Sequence, residues 1–149
     1  MTALMAQNKG AGNKNRMQEG FRCGMVLESI YGIFIFLVCF IFAKPLMCLF
    51  VQDEEVIMHG VTYLHLISIM YILPAFTNGI QGFFRGIGDL KITLISSLVN
   101  MTVRVIVAAP LVFSLHLGIE ALPYSYLAGW IGMLLAELPL LIRTYKAYE

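Results

Sequence analysis

ITLISSLVNMTVRVIVAAPLVFSL, residues 92–115, is the stretch on which the fold class turns. It is 24 residues long and carries one charge, Arg104. About 20 apolar residues suffice to cross a hydrocarbon core of about 30 Å as a helix. An arginine near mid-membrane costs about 2.5–3.5 kcal/mol on insertion scales. The thirteen Ile, Leu, Val and Phe residues of the segment return about 4–8 kcal/mol, so it can span with its arginine.

Three further segments have the same character: about 24–43, 56–84 and 121–142, with 92–115 third in order. They account for a composition that is 59% hydrophobic and 13% charged over 149 residues, with mean hydropathy +0.80. So few charges cannot cover the surface of a water-soluble domain of this size. The expected fold is an all-α membrane protein of four transmembrane helices, with residues 1–23 and 143–149 outside the bilayer. The first twenty residues are polar, and no signal peptide is visible ahead of the first span.

Lys9, Lys14, Arg16 and Arg22 precede the first span, Arg85 and Lys91 flank the break after the second, and Arg143 and Lys146 follow the last. Eight of the ten basic residues thus fall on one side, which the positive-inside rule makes cytoplasmic. The expected location is the cell membrane, multi-pass, with both termini cytoplasmic and the lipid bilayer as solvent. A net charge of +1 offers no basic field to a nucleic acid, and no nucleic-acid partner is expected. Cys23, Cys39 and Cys48 form no CxxC pair and fall at different depths, indicating neither a disulfide framework nor a zinc site. The chain shows no Walker lysine, GxSxG elbow or HExxH, and an enzyme is not expected.

Polar residues inside the spans are the functional candidates. Thr93, Ser97, Asn100 and Arg104 recur at steps of 4, 3 and 4, one face of a helix, with Ser96 off that stripe. Pro74, Asn78, Gln81 and Arg85 repeat the spacing on the second span, where Pro74 can kink the helix. Asn78, Gln81, Asn100 and Arg104 are therefore candidates for a substrate or ion pathway; interhelical hydrogen bonding is the competing explanation. Arg104→Ala is expected to harm transport or assembly more than Ser96→Ala. Ser125, Gly129, Gly132 and Ala136 form a small-residue face for helix packing, and Gly82 with Gly86 offers a second. Glu28 and Glu137 lie about one turn inside the boundary and are expected to reach interfacial water. His59, His65 and His116 are too scattered for a metal site.

Three stretches carry a resemblance. They are Ala6-Gln7-Asn8-Lys9-Gly10-Ala11-Gly12 with Arg16; Ala43-Lys44-Pro45-Leu46 through Leu49-Phe50; and Gln81-Gly82-Phe83-Phe84-Arg85-Gly86-Ile87-Gly88-Asp89. In that order the sequence resembles the C-terminal portion of transporters of the multidrug and toxic compound extrusion (MATE) family. Gln7, Asn8, Gly10, Ala11, Arg85, Gly86, Gly88 and Asp89 are the loop positions concerned. The resemblance implies a fragment covering the last four helices of a twelve-helix protein, part of its C-terminal six-helix lobe. Residues 1–6 would end helix eight.

By the same resemblance the parent exports amphiphilic organic substrates by alternating access, driven by Na⁺ or H⁺ entry and without any other cofactor. Its partners would be the missing N-terminal lobe and helices seven and eight. The family's C-lobe cation site typically uses carboxylates on helices seven and ten. The helix-ten counterpart here, 56–84, holds no Asp or Glu, and Asn78 stands near the expected aspartate. Two alternatives are a fragment of a related lipid-linked saccharide flippase and a stand-alone four-helix assembly protein.

Overall fold

Caps and turns, rather than the edges of the apolar runs, set where the helices begin. A computed structural model of the chain describes residues 1–114 and 116–146. Helix α1 (Thr2–Gly10) ends at Ala11, and the chain reverses through Gly12, whose φ of 66° suits a residue without Cβ. Asn13 then caps α2 (Lys14–Ile41), its side-chain oxygen accepting from the Arg16 amide at 3.1 Å. That cap starts α2 ten residues before the expected boundary at Gly24, so much of the polar segment 1–23 is helical. A span ends where apolarity ends, but a helix continues while its backbone bonds are satisfied.

The break after α2 is itself partly helical. The expected span end at residue 43 is the start of α3 (Ala43–Cys48), separated from α2 at Phe42. Asp53 opens α4 (Glu54–Met70), its carboxylate accepting from the amides of Glu55 and Val56 at 3.0 and 3.1 Å. Glu54 and Glu55 in that first turn complement the positive end of the helix. The expected second span, 56–84, is two helices: α4 and α5 (Ile72–Gly86) meet at Tyr71 with a bend of 49°. Pro74 lies in the first turn of α5 and has no N–H to donate toward the Met70 carbonyl, which accounts for a break one turn upstream.

After α5 the chain turns at Gly88, with φ 82°, while the Asp89 amide reaches back to the Phe84 carbonyl at 2.9 Å. Helices α6 (Leu90–Phe113) and α7 (Ala121–Lys146) complete the structure. The expected tail 143–149 begins as helix. Leu115, the expected end of the third span, and residues 147–149 lie outside the described residues. Among the described residues, α2, α6 and α7 are long and apolar enough to cross a membrane, and α4 and α5 together have the length and apolarity of one further span, broken at Tyr71, or of a re-entrant loop.

α5 is the centre of the packing. Ile80, Phe83 and Phe84 join Met5, Met17, Ile87 and Ile92 in a buried cluster against which Phe21, Leu140 and Tyr145 pack. Phe83 meets Phe21 edge-on, with ring centroids 5.1 Å apart. Gly82 and Gly86 give α1 its seat on α5: a Cβ on Gly86 would overlap the Cβ of Met5 and stand 2.7 Å from the Thr2 carbonyl oxygen. Val26, Ile30, Ile33 and Phe34 on α2, and Leu94, Leu98, Val105 and Ile106 on α6, are exposed, as suits helices wetted by lipid tails.

α6 and α7 pack antiparallel. A Cβ on Gly129 would overlap the Arg104 stem and stand 3.1 Å from the Asn100 carbonyl oxygen, and one on Gly132 would stand 3.1 Å from the Val103 side chain. Asn100 also reaches Met133, and this register brings Ser96 opposite Glu137.

Candidate functional site

Two polar junctions form where the helices meet, one near the basic ends of the spans and one deep within them. The first joins α5 to α7. Gln81 Nε2 donates to Glu137 Oε1 at 3.3 Å, and both side chains are buried. Arg85, one turn further along α5, donates from Nη2 to Gln81 Oε1 at 3.4 Å and from Nε to the Gln81 carbonyl at 3.2 Å. The amide of Gln81 thus bridges Arg85 and Glu137, accepting from the guanidinium and donating to the carboxyl group.

Glu137 departs from its sequence reading. It is 0% exposed and cannot lie in interfacial water. Its position on α7, four and eight residues beyond Met133 and Gly129, turns it into the α6 contact face rather than outward. Glu137 Oε2 and Thr93 Oγ1 are buried without a hydrogen-bond partner among the described residues. Ser96, expected off the polar stripe, is buried beside Glu137 and donates to the Ile92 carbonyl at 2.8 Å. Ser97, expected on the stripe, is exposed. The protein-facing edge of α6 therefore runs Thr93, Ser96, Asn100 and Arg104. The 3.6-residue period leaves adjacent positions nearly equivalent, and only the seating of α7 chooses between them.

The second junction lies deeper. The Arg104 guanidinium carbon sits 3.5 Å above the centroid of the Tyr126 ring. Tyr63 on α4 is within electrostatic reach of both, and Trp130 packs 5.7 Å from Tyr126. Asn100, one turn away, donates to Met133 Sδ at 3.4 Å. Arg104 makes no hydrogen bond or ion pair among the described residues.

Asn78 joins neither junction. It is exposed on α5 while Gln81 turns inward, so the four-residue stripe on the second span is split between two faces. Gln7 and Asn8 terminate α1: the carbonyl of Gln7 accepts from the Ala11 amide and that of Asn8 from the Asn13 amide, each at 3.0 Å. Gly10 is open to its surroundings, Lys9 Nζ donates to the Ile87 carbonyl beside Gly88, and Asp89 stands at the start of α6 without a capping bond. These loop residues fasten α1, α2 and the α5–α6 turn together. An open groove of about 490 Å³ between α1 and α2, lined by Leu4, Gln7, Arg16 and Leu27 among others, lies away from both junctions. His65 Nε2 lies 3.1 Å from the Phe40 carbonyl, and its ring stacks near Phe40. Among the described residues no three His, Cys, Asp or Glu side chains gather as a metal site.

With this geometry in place, the chain can be set against known proteins. The MatE family model matches residues 1–111. A probable multidrug resistance protein NorM from Thermotoga maritima is 26% identical over 135 residues, covering 90% of this chain and 28% of that protein. A solved inward-facing multidrug resistance MATE family transporter of the MOP superfamily superposes with TM-score 0.88 at 17% identity, over 94% of this chain and 32% of that one. The chain thus spans less than a third of the length of these two relatives. Apolar helices of membrane-spanning length, the α1–α5 clasp and the matched residues 1–111 lead to one assignment: the chain belongs to the MatE family of multi-pass helical membrane transporters.

Proposed function

We propose that the chain supplies four consecutive spans of a secondary exporter of amphiphilic organic compounds. Alternating access driven by Na⁺ or H⁺ entry would power it, and an N-terminal lobe with two further helices would complete its cavity. The support is the shared fold across nearly the whole chain with a multidrug resistance transporter. The cytoplasmic side would hold both termini and the Arg85–Gln81–Glu137 junction. Asn78, an exposed polar residue of α5, would face the cavity as a neutral carbonyl ligand. Four helices alone enclose no cavity between two lobes, so the chain by itself is not expected to transport.

The test is efflux of a fluorescent organic cation from loaded vesicles. One set holds the purified chain, and the other holds the chain joined to its N-terminal lobe and helices seven and eight. Each is given a sodium gradient and a proton gradient separately. Efflux from the joined protein under at least one gradient, and none from the chain alone, is the expected result. Ion-driven efflux by the chain alone would overturn the proposal.

A further inference from the structure

Arg104 is the one charge set deep in α6. It lies fourteen residues from the Leu90 end, about 21 Å along the axis. A charge at that depth persists where something compensates it. Among the described residues the carboxylates are placed elsewhere. Glu137 is engaged by Gln81 and lies eight residues along α7 from Gly129, the residue packed on Arg104, about 12 Å away. No Asp or Glu occurs in 56–84, and Glu120 precedes the start of α7.

What Arg104 does have is an aromatic floor. The Tyr126 ring takes one face of the guanidinium, and a stacked guanidinium keeps its N–H donors around its edge, in the plane that binds a carboxylate through two parallel bonds. Gly129 is what allows this seat, because a Cβ there would meet the Arg104 stem and would also approach the Asn100 carbonyl oxygen at 3.1 Å. A guanidinium seated on an aromatic floor, with no carboxylate paired to it among the described residues, has the chemistry of an anion receptor.

We propose that Arg104, seated on Tyr126, is a binding point for one carboxylate, such as the head group of an amphiphilic organic acid. The proposal deepens the exporter assignment by naming a substrate group, and rests on it for the setting of the site in a bilayer. The same chemistry would serve a carboxylate from another helix of the complete transporter, and the test separates the two sources. Trp130, the single tryptophan, sits 5.7 Å from Tyr126 and is a built-in reporter.

The 149-residue chain is placed in phosphatidylcholine nanodiscs at pH 8, without any ion gradient. Trp130 emission is followed on titration with sodium octanoate and, separately, with octylammonium chloride. A saturable response to octanoate is expected, weakened at least tenfold in Arg104→Gln, partly restored in Arg104→Lys, and unchanged in Ser97→Ala, whose side chain is exposed. Octylammonium should give no response that depends on residue 104. Circular dichroism checks that each variant stays helical, and Tyr126→Phe, which keeps the ring, provides a second variant expected to retain most of the binding.

An octanoate response that is absent, or equal in the parent chain and Arg104→Gln, would overturn the proposal while leaving the export assay untouched. Repeating the titration in the joined transporter identifies the source. Octanoate binding there supports a small organic acid, and its disappearance there, with binding kept in the chain, supports a helix-borne carboxylate at the same site.

Discussion

Glu137 carries the most consequential single contact. Its carboxyl is wholly buried, and Gln81 depends on it as the acceptor for a buried N–H. Glu137→Ala would leave that donor unpaired and open space beside Ser96, a loss of about 1–3 kcal/mol. Glu137→Gln keeps the carbonyl acceptor and should stay within about 1 kcal/mol of the parent. Denaturant unfolding in detergent micelles, followed by circular dichroism, checks both; an alanine variant as stable as the parent would refute the role. The sequence shows a lone glutamate near a helix end, and a position near the boundary suits interfacial water equally well. The spacing Gly129, Met133, Glu137 was the available signal for its inward face, because residues four apart share a face. Ser96 and Ser97 make the same point at finer scale, since one step of 100° separates a buried hydroxyl from an exposed one.

Among the elements, α1 and α5 form the contact most sensitive to a methyl group. Gly86→Ala would press a Cβ into Met5 and against the Thr2 backbone, which cannot step aside as a side chain can. The expected outcome is release of α1 from α5, seen as trypsin cleavage at Lys9 about tenfold faster than in the parent, the size of an opening made easier by about 1.4 kcal/mol. Gly10→Ala meets nothing within 4 Å and should cleave at the parent rate. Gly82 and Gly86 were legible as a small-residue pair four apart, and Pro74 as a source of bending. The break at Tyr71, the short α3 and the early start of α2 were not. They follow from Asn13, Pro45 and Pro74 acting on local backbone bonds, whereas the spans had been read from hydropathy, which averages over such details.

For the whole molecule, orientation is the property that native cysteines can report. Cys23 and Cys48 are exposed and lie toward opposite ends of the first span. On the proposed topology, with both termini cytoplasmic, a membrane-impermeant maleimide applied to intact cells should label Cys48 and reach Cys23 only after permeabilisation; the reverse pattern would overturn that topology. The bilayer as solvent and the apolar segments long enough to cross it were legible in the sequence itself. The reason is physical: insertion compares the length and apolarity of one continuous segment with the thickness of the bilayer, and both are properties along the chain. Only the tertiary structure decided that Gln81 meets Glu137 while Asn78 stays outside, that Ser96 rather than Ser97 is enclosed, and that Arg104 rests on Tyr126. Those pairings depend on how each helix is rotated and seated against its neighbours. That seating is set by glycines and large side chains on different helices acting together, which no single segment contains.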